Sequence, residues 1–325
     1  MKIYLLFCFF IILAISSIFL IDAKNKSNSK PIGINTKEHK SYFYNKSLFL
    51  LLPENWINKK FLVLKKPSMF QKFGYELYIT PNLSFEKSSL DTSIVLSNKK
   101  VRYHILAGKI LTVIDVTKTN NEYQVTFLDE PENKKYFAKT INGSIEGLML
   151  LADLDSAILK WKDKIIFSRR RFIDTYDTIS GNYGKIKVRI QEPLKVLSIK
   201  AGLTPLPPKP IWIYVETSLK EKGFIPIRQS WTNVSVSEIK NNLPWEDDLF
   251  DINPATIFSW DSIIWEAINN HSILSGMTKQ QVLLSWGEPY KFVIDSLSEN
   301  CKEKWIYGSQ YLCFYKDSVI FIGFH

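Results

Sequence analysis

The segment from about residue 68 to residue 167 consists of short apolar runs with turn residues between them. Runs rich in β-branched and aromatic residues, separated by Pro-Asn, Asn-Lys, Ala-Gly and Thr-Asn-Asn, are typical of antiparallel strands. The pattern predicts strands at Glu76–Ile79, Ser93–Leu96, Lys100–Ile105, Ile110–Ile114 and Tyr123–Phe127. Several short strands at regular spacing indicate a small barrel. Residues 144–157 are ambiguous, because Ser144 and Glu146 would also suit the start of a helix.

A second group of β runs occupies residues 184–232, with predicted strands at Ile186–Ile190, Leu194–Ile199, Ile211–Val215 and Gly223–Ile227. Within it, Trp212 and Val215 precede a charged turn, Lys220-Glu221-Lys222, which leads into Gly223-Phe224-Ile225-Pro226. This spacing resembles the bacterial SH3-like module, in which a Trp strand, a tight turn and a Gly-aromatic-hydrophobic-Pro strand close a small barrel. Residues 106–116 have a similar spacing, so the preceding β-rich region is interpreted as a diverged relative of the same module.

The pattern changes to helical periodicity near the C-terminal end of the sequence. Ser259–Ile268 has apolar residues three and four apart, with Ser259 as the expected N-cap. Thr278 and Gln281 predict a capping box for a second helix, which Gly287 and Pro289 end. Three aromatic and β-branched runs then predict a β-meander at Glu303–Tyr307, Tyr311–Tyr315 and Ser318–Ile322.

The order Gly276-Met277-Thr278, a glutamine in the first helical turn, Gly287-Glu288-Pro289, and then Trp305-x-Tyr307 before a closing hairpin resembles the SmpA/OmlA (BamE-like) envelope domain. The resemblance covers roughly residues 253–325. It implies two helices packed on a small antiparallel sheet. It also implies a non-enzymatic role in assembly or interaction at the bacterial outer membrane.

Together these patterns predict a mainly β protein with a small α+β C-terminal domain, namely SH3-like barrels followed by two helices on a three-stranded antiparallel sheet. The predicted organisation is a leader at 1–23, a flexible spacer and lead-in at 24–60, a β-rich domain at 61–180, an SH3-like domain at 181–235, a linker at 236–252 and a SmpA/OmlA-like domain at 253–325. A polyproline segment, Thr204–Pro210, is expected to be either a stiff loop of its own barrel or an exposed ligand for another module.

The first residues predict export. Residues 3–21 are uncharged and follow Lys2, and Ile21-Asp22-Ala23 offers a small-residue cleavage site. A cleaved signal peptide and an uncleaved membrane anchor both fit, and either places the remaining chain outside the cytosol, in the periplasm or cell envelope. Cys8 lies in this leader, while Cys301 and Cys313 bracket the first strand of the meander. A hairpin centred near Ser309 would place Cys301 opposite Asp317, so two unpaired thiols are expected in preference to a disulfide.

The formal net charge of +10 has two explanations, a bias towards lysine and asparagine in the whole sequence or attraction to an anionic surface. Basic residues are scattered, and Arg169-Arg170-Arg171 is their one tight cluster. No zinc finger, RNA-binding signature or basic helix is visible, so a nucleic-acid partner is not expected. The four histidines lack metal-ligand spacing, and no nucleophile elbow, Cys-His pair or phosphate-binding glycine loop occurs. No catalytic residue, cofactor or metal is therefore predicted.

Aromatic residues make up 14% of the chain, and they supply the candidate binding surface: Trp231, Tyr290, Trp212 and Phe224. Trp212 and Phe224 also suit the core of their module, whereas Trp231 and Tyr290 are expected at the surface. The predicted function is binding or assembly with an envelope protein or a cell-wall polymer, with possible membrane association through residues 3–21. The alternative is a wall-active hydrolase whose SH3-like module only directs it to peptidoglycan.

Overall fold

Strands dominate the computed structural model, which describes residues 52–81, 94–96, 100–141, 143–204, 209–227, 249–294 and 301–324. The strands form antiparallel sheets, one of which curls into a half-barrel, so the predicted mainly β class is confirmed. The predicted leader at 1–23, most of the spacer and of the linker, the prolines at 205–208 and the candidate Trp231 lie outside the described residues. No helix in the described ranges is both long and apolar enough to cross a membrane.

The first sheet has the strand order β4-β3-β2-β1-β5. Its strands are β1 (Lys60–Val63), β2 (Ile110–Thr119), β3 (Glu122–Asp129), β4 (Lys134–Thr140) and β5 (Leu148–Leu150). Its core includes the fully buried rings of Trp56, Phe61 and Phe127, with Phe61 4.9 Å from Trp56 and 5.7 Å from Phe127 between ring centroids. The end of the predicted spacer thus belongs to this core, because Trp56 is a large apolar side chain that gains by leaving water.

Two short helices, α1 (Ser68–Gln71) and α2 (Tyr103–Leu106), lie beside this sheet. The predicted strand Lys100–Ile105 is wrong, because α2 occupies its second half. Val101 and Leu106 are both fully buried in one core. Val101 forms isolated bridges with Tyr75 and Val95, and the chain then turns into α2, which brings Leu106 into the same core. Among the described residues, the predicted strands at Glu76–Ile79 and Ser93–Leu96 contribute only isolated bridges, from Tyr78 and Val95.

The ambiguous segment at 144–157 contains both kinds of structure, since β5 runs directly into the helix α3 (Leu151–Trp161). Ala157 and Trp161 of α3 are buried in the core of the middle sheet. That sheet has the order β12-β6-β9-β10-β11-β7-β8. Its strands are β6 (Ile165–Ser168), β7 (Phe172–Tyr176), β8 (Tyr183–Lys187), β9 (Leu194–Ala201), β10 (Ile211–Glu216), β11 (Lys222–Ile227) and β12 (Leu249–Phe250).

The middle sheet crosses the predicted domain boundaries. β7 pairs with β8 and with β11, so strands on both sides of residue 180 share one sheet. β12, in the predicted linker, pairs with β6. Strands that are distant in sequence can pair without any signal in the residues around them. The limits of the sheets therefore differ from the domain boundaries that the sequence predicts.

The C-terminal segment contains α4 (Pro254–Ile257), α5 (Ser262–Asn269), α6 (Lys279–Trp286) and a sheet of β13 (Lys291–Ile294), β14 (Glu303–Tyr307), β15 (Gln310–Tyr315) and β16 (Ser318–Phe324). The three meander strands are confirmed, but the sheet has four strands rather than three. Pro289 stops the preceding helix, and the Tyr290 amide then donates to the carbonyl of Ile306, which brings β13 beside β14.

The first predicted helix of this segment begins later than expected. Its N-cap is Asp261 rather than Ser259. Phe258 and Trp260 stack with their ring centroids 4.5 Å apart, and the Trp260 amide donates to the carbonyl of Phe258. These contacts occupy the residues around Ser259, so the helix starts only after the stacked pair.

The predicted second helix, α6, has both of its expected ends. The Gln281 amide donates to the Thr278 hydroxyl, and the Gln281 side chain accepts from the Thr278 amide at 2.8 Å. Gly287 has φ +83° at the other end, a region that favours glycine. The capping box thus satisfies two amides that the helix itself leaves without acceptors.

Thr278→Ala is expected to lower the free energy of unfolding by about 1 kcal/mol, because it removes the side-chain acceptor of the capping box. Chemical denaturation measures this change. Thr278→Ser, which keeps the hydroxyl, is the matched control and should stay close to the unsubstituted protein. Equal losses in the two variants would show that the hydroxyl is not what stabilises the start of α6.

Cys301 and Cys313 form a disulfide, with their Cα atoms 5.2 Å apart, so the expectation of unpaired thiols is wrong. Within the hairpin, Cys313 pairs with Lys304 and not with Cys301. Cys301 precedes β14, and the chain there turns back towards Cys313 instead of continuing the line of the strand. The register of a hairpin determines only which residues face each other inside the paired strands. Cys301 lies outside them, so the register could not predict its partner.

Candidate functional site

The side of the middle sheet that faces away from its apolar core carries a row of aromatic residues. Along β10, Ile211, Ile213 and Val215 belong to the core. The alternate residues Trp212 and Tyr214 therefore project from the opposite side. The aromatic face, as we call this side, also takes residues from β7, β8 and β11 through strand pairing. Its row of rings consists of Tyr183, Tyr176, Trp212, Phe224 and Tyr214.

The five rings are in contact one after another. Ring centroids are 4.8 Å apart between Tyr183 and Tyr176, and 6.2 Å between Tyr176 and Trp212. Trp212 stacks on Phe224 at 4.0 Å with 13° between the planes, and Phe224 lies 5.7 Å from Tyr214. Such pairs add to the stability gained from burial alone, so the row holds each ring in a fixed orientation.

Exposure divides the row into a buried centre and accessible ends. Trp212 and Phe224 are only 4% and 3% exposed, whereas Tyr183 is 43% exposed. Tyr176 and Tyr214 are half-buried. A Cβ atom at Gly202 would lie 2.4 Å from Nε1 of Trp212, so the absence of a side chain there lets the indole pack against the backbone. The buried pair supports the surface, and the tyrosines present it to solvent.

Lysines surround the aromatic face. Lys200 lies with Nζ 5.3 Å from the ring centre of Tyr214, and Lys185 lies 4.3 Å from that of Phe172. Both are exposed, and neither has an ion-pair partner within the part of the chain that the structure describes. Two acidic residues nearby are already paired, Asp174 with Arg170 at 3.0 Å and Glu216 with Lys220 at 3.0 Å. The face therefore combines accessible phenol rings with positive charge.

Tyr183 and Tyr214 of this face stay neutral at physiological pH. Burial raises the pKa of Tyr214 above its ordinary value. Burial, followed by the neighbouring Tyr176, raises the pKa of Tyr183 as well. Neutral phenols donate hydrogen bonds and offer ring faces for stacking, and they do not repel an anion.

Sequence reasoning found part of this site. The predicted candidates Trp212 and Phe224 lie together as a stacked pair, but they are buried beneath the accessible rings. Tyr290 is 88% exposed and lies just before β13, which belongs to a different sheet from the strands of the aromatic face. Tyr176, Tyr183 and Tyr214 were missed. Alternation along β10 could have identified Tyr214, which is two residues from Trp212 and thus on the same side.

Two of the three arginines in the Arg169-Arg170-Arg171 cluster are occupied by partners within the protein, so they do not form an anion-binding patch. Arg170 pairs with the buried Asp174, and its guanidinium carbon lies 4.5 Å from the ring centre of Phe172. Arg171 donates from Nε to the Ile268 carbonyl at 2.7 Å and from an Nη atom to the Leu284 carbonyl at 2.9 Å and to the Ser285 carbonyl. Burial lowers the pKa of Arg171 to about 10, so it remains charged at neutral pH.

The described part of the protein also has two open grooves of about 490 Å³ each. In the first, Lys109 contacts both Asp129, at 2.7 Å, and Glu132. In the second, Arg189 lies 3.8 Å from Glu266. Because these charges are paired with each other, the grooves offer less to a charged ligand than the aromatic face.

Comparison of the chain with protein-family models, with curated proteins and with solved structures finds no match in any of the three.

Proposed function

We propose that this protein is exported to the cell envelope and binds an anionic cell-wall polymer through the aromatic face, without catalysing a reaction. The observation that carries the proposal is the fixed row of rings, together with Lys185 and Lys200, which have no ion-pair partner among the described residues. A polymer of sugars and short peptides stacks on phenol rings through its apolar faces. Its carboxylates or phosphates meet the ammonium groups of Lys185 and Lys200.

Export is supported by two independent features. Residues 3–21 form an uncharged run at the start of the sequence, typical of a signal peptide or an N-terminal anchor. The disulfide between Cys301 and Cys313 belongs to an oxidising compartment such as the periplasm. A thiol titration of the denatured protein that finds Cys301 and Cys313 free would remove the second of these supports.

We also propose the two module assignments. The SH3-like assignment of residues 181–235 is supported by the successive pairing of β9, β10 and β11 and by the stacked Trp212 and Phe224. The SmpA/OmlA-like assignment of residues 253–325 is supported by the capping box of α6 and by the apolar cluster that α5 and α6 share with the C-terminal sheet. With the SmpA/OmlA-like assignment, we also propose that the protein has a role in assembly at the cell envelope.

The non-enzymatic part of the proposal has its own test. Wall polymer embedded in a gel is incubated with the purified protein and inspected for clearing. We expect no clearing under conditions in which a known wall hydrolase clears the gel. Clearing by this protein would favour a wall-active hydrolase instead.

Tyr183→Ala and Tyr214→Ala are each expected to weaken binding of soluble peptidoglycan fragments about ten-fold, because truncating an aromatic contact residue typically lowers affinity by about that factor. Titration calorimetry measures the dissociation constants. Tyr290→Ala is the matched control, since it removes an equally large and more exposed tyrosine from the C-terminal segment. Loss of binding in the control, with the two face variants unchanged, would move the site to the C-terminal segment.

A further inference from the structure

β16 is the edge strand of the C-terminal sheet, since the order of that sheet ends with it. Within the part of the chain that the structure describes, its outer edge is covered only at the start. The Gly276 amide donates to the Val319 carbonyl, and the Val319 amide donates to the carbonyl of Met277. Among the residues that the structure describes, none forms a backbone hydrogen bond with the outer edge from Ile320 to Phe324. That stretch is open to pairing with another strand.

The open stretch lacks the features that normally prevent edge pairing. From Ser318 to Phe324 the sequence contains no charged residue and no proline. Ile320, Phe321 and Phe324 are 43%, 53% and 72% exposed. Natural edge strands are usually protected by lysine, proline or a covering element, because unpaired amides and carbonyls beside apolar side chains attract other strands. An unprotected apolar edge on a folded protein indicates that another strand covers it when it functions.

Positive charge lies next to this edge. A Cβ atom at Gly323 would lie 2.6 Å from the Tyr311 hydroxyl oxygen, so the Tyr311 ring extends across β16 at a position where only glycine leaves room. Lys304 sits on that ring, with Nζ 3.7 Å from its centre. Lys302 and Lys316 lie 5.9 and 5.6 Å from the ring centre of Tyr315, beside the start of β16. These three lysines and two tyrosines form the basic band of the edge.

We propose that β16 is a docking strand for an extended segment of a partner protein, which adds to the sheet as a further strand and carries carboxylates that meet the basic band. Backbone hydrogen bonds to the open edge provide affinity, and the apolar side chains of the segment cover Phe321 and Phe324. The acidic character of the segment provides specificity. This site is separate from the aromatic face and does not depend on polymer binding.

Charge favours such a partner over a second copy of this chain. The formal net charge is +10, and two copies that pair through β16 would bring their basic bands together. Like charges in that position repel, whereas an acidic segment is attracted.

A fluorescent peptide of alternating valine and glutamate tests the proposal against the full-length protein. Fluorescence anisotropy should show saturable binding, and amide hydrogen exchange of residues 320–324 should slow when the peptide is present. A twin peptide with lysine in place of glutamate should bind at least about ten-fold more weakly. A twin whose alternate amides are N-methylated, and which therefore cannot complete the strand ladder, should not bind.

Ile320→Lys places a protective charge on the edge and should weaken binding of the acidic peptide about ten-fold. The matched control is Leu159→Lys, which adds the same charge at an exposed leucine of α3 and should leave binding unchanged. The proposal would be overturned if the N-methylated peptide bound as tightly as the unmethylated acidic peptide. It would also be overturned if Ile320→Lys and Leu159→Lys weakened binding equally. Self-association of the protein in sedimentation equilibrium that Ile320→Lys abolishes would overturn it as well, because a second copy would then be the occupant.

Discussion

Arg171→Ala is expected to lower the free energy of unfolding by about 4 kcal/mol, because several hydrogen bonds from a charged donor are lost together and their acceptors are left beneath the surface. The guanidinium of Arg171 bonds to carbonyls in the last turn of both α5 and α6. Carbonyls in the last turn of a helix lack amide partners from a following turn, so Arg171 adds donors there beside the His271 amide, which bonds to the Ile268 carbonyl. A cation at this position also complements the helix dipole. Arg171 thus attaches the middle sheet to the ends of two C-terminal helices. Guanidinium chloride denaturation measures the loss.

Two further substitutions separate this role from a general effect of charge. Arg189→Ala is the matched control: Arg189 is exposed and forms a 3.8 Å ion pair with Glu266 of α5, and the loss of this pair should cost about 0.5 kcal/mol. Arg171→Lys should rescue little, since one ammonium cannot replace a planar fork that reaches several carbonyls. Similar losses for Arg171→Ala and Arg189→Ala would contradict the role given to Arg171.

Removing the disulfide is expected to cost about 3 kcal/mol, because the bond closes a short loop and restricts the unfolded chain. Cys301 and Cys313 are 12 residues apart, and the bond joins the lead-in of β14 to β15. The double variant Cys301→Ser with Cys313→Ser should unfold at a lower temperature than the unsubstituted protein under oxidising conditions.

The same experiment contains its control. A reductant should lower the unfolding temperature of the unsubstituted protein to about that of the double variant, and it should leave the double variant unchanged. An unfolding temperature that responds to the reductant equally in both proteins would mean that the effect does not come from this bond.

Local patterns predicted the parts of the fold that local chemistry determines. Thr278, Gln281 and Gly287 mark the ends of α6 by side-chain and backbone preferences that act within one helix. The strands that follow each other along the chain, such as β10 and β11, were also predicted, since a turn connects them directly. Lys100–Ile105 failed because burial of both Val101 and Leu106 in one core outweighed the strand preference of the individual residues.

For the candidate site, too, the sequence predicted only those residues that a local turn brings together. Trp212 and Phe224 were found because the turn between β10 and β11 brings them together. Tyr176 and Tyr183 were not, since β7 reaches the site by pairing with β11, which is distant in sequence. Arg171 was grouped with its neighbours as a basic cluster, and only the tertiary structure shows that its partners are carbonyls about a hundred residues away.

Co-sedimentation with isolated sacculi, at low and at high salt, tests the central claim most directly. Ring stacking is not screened by salt, whereas attraction between exposed charges is. The account predicts that part of the binding persists at high salt and that the variant with both Tyr183→Ala and Tyr214→Ala loses this salt-resistant part. Binding that disappears completely at high salt, with no difference between the variant and the unsubstituted protein, would contradict recognition by the aromatic face.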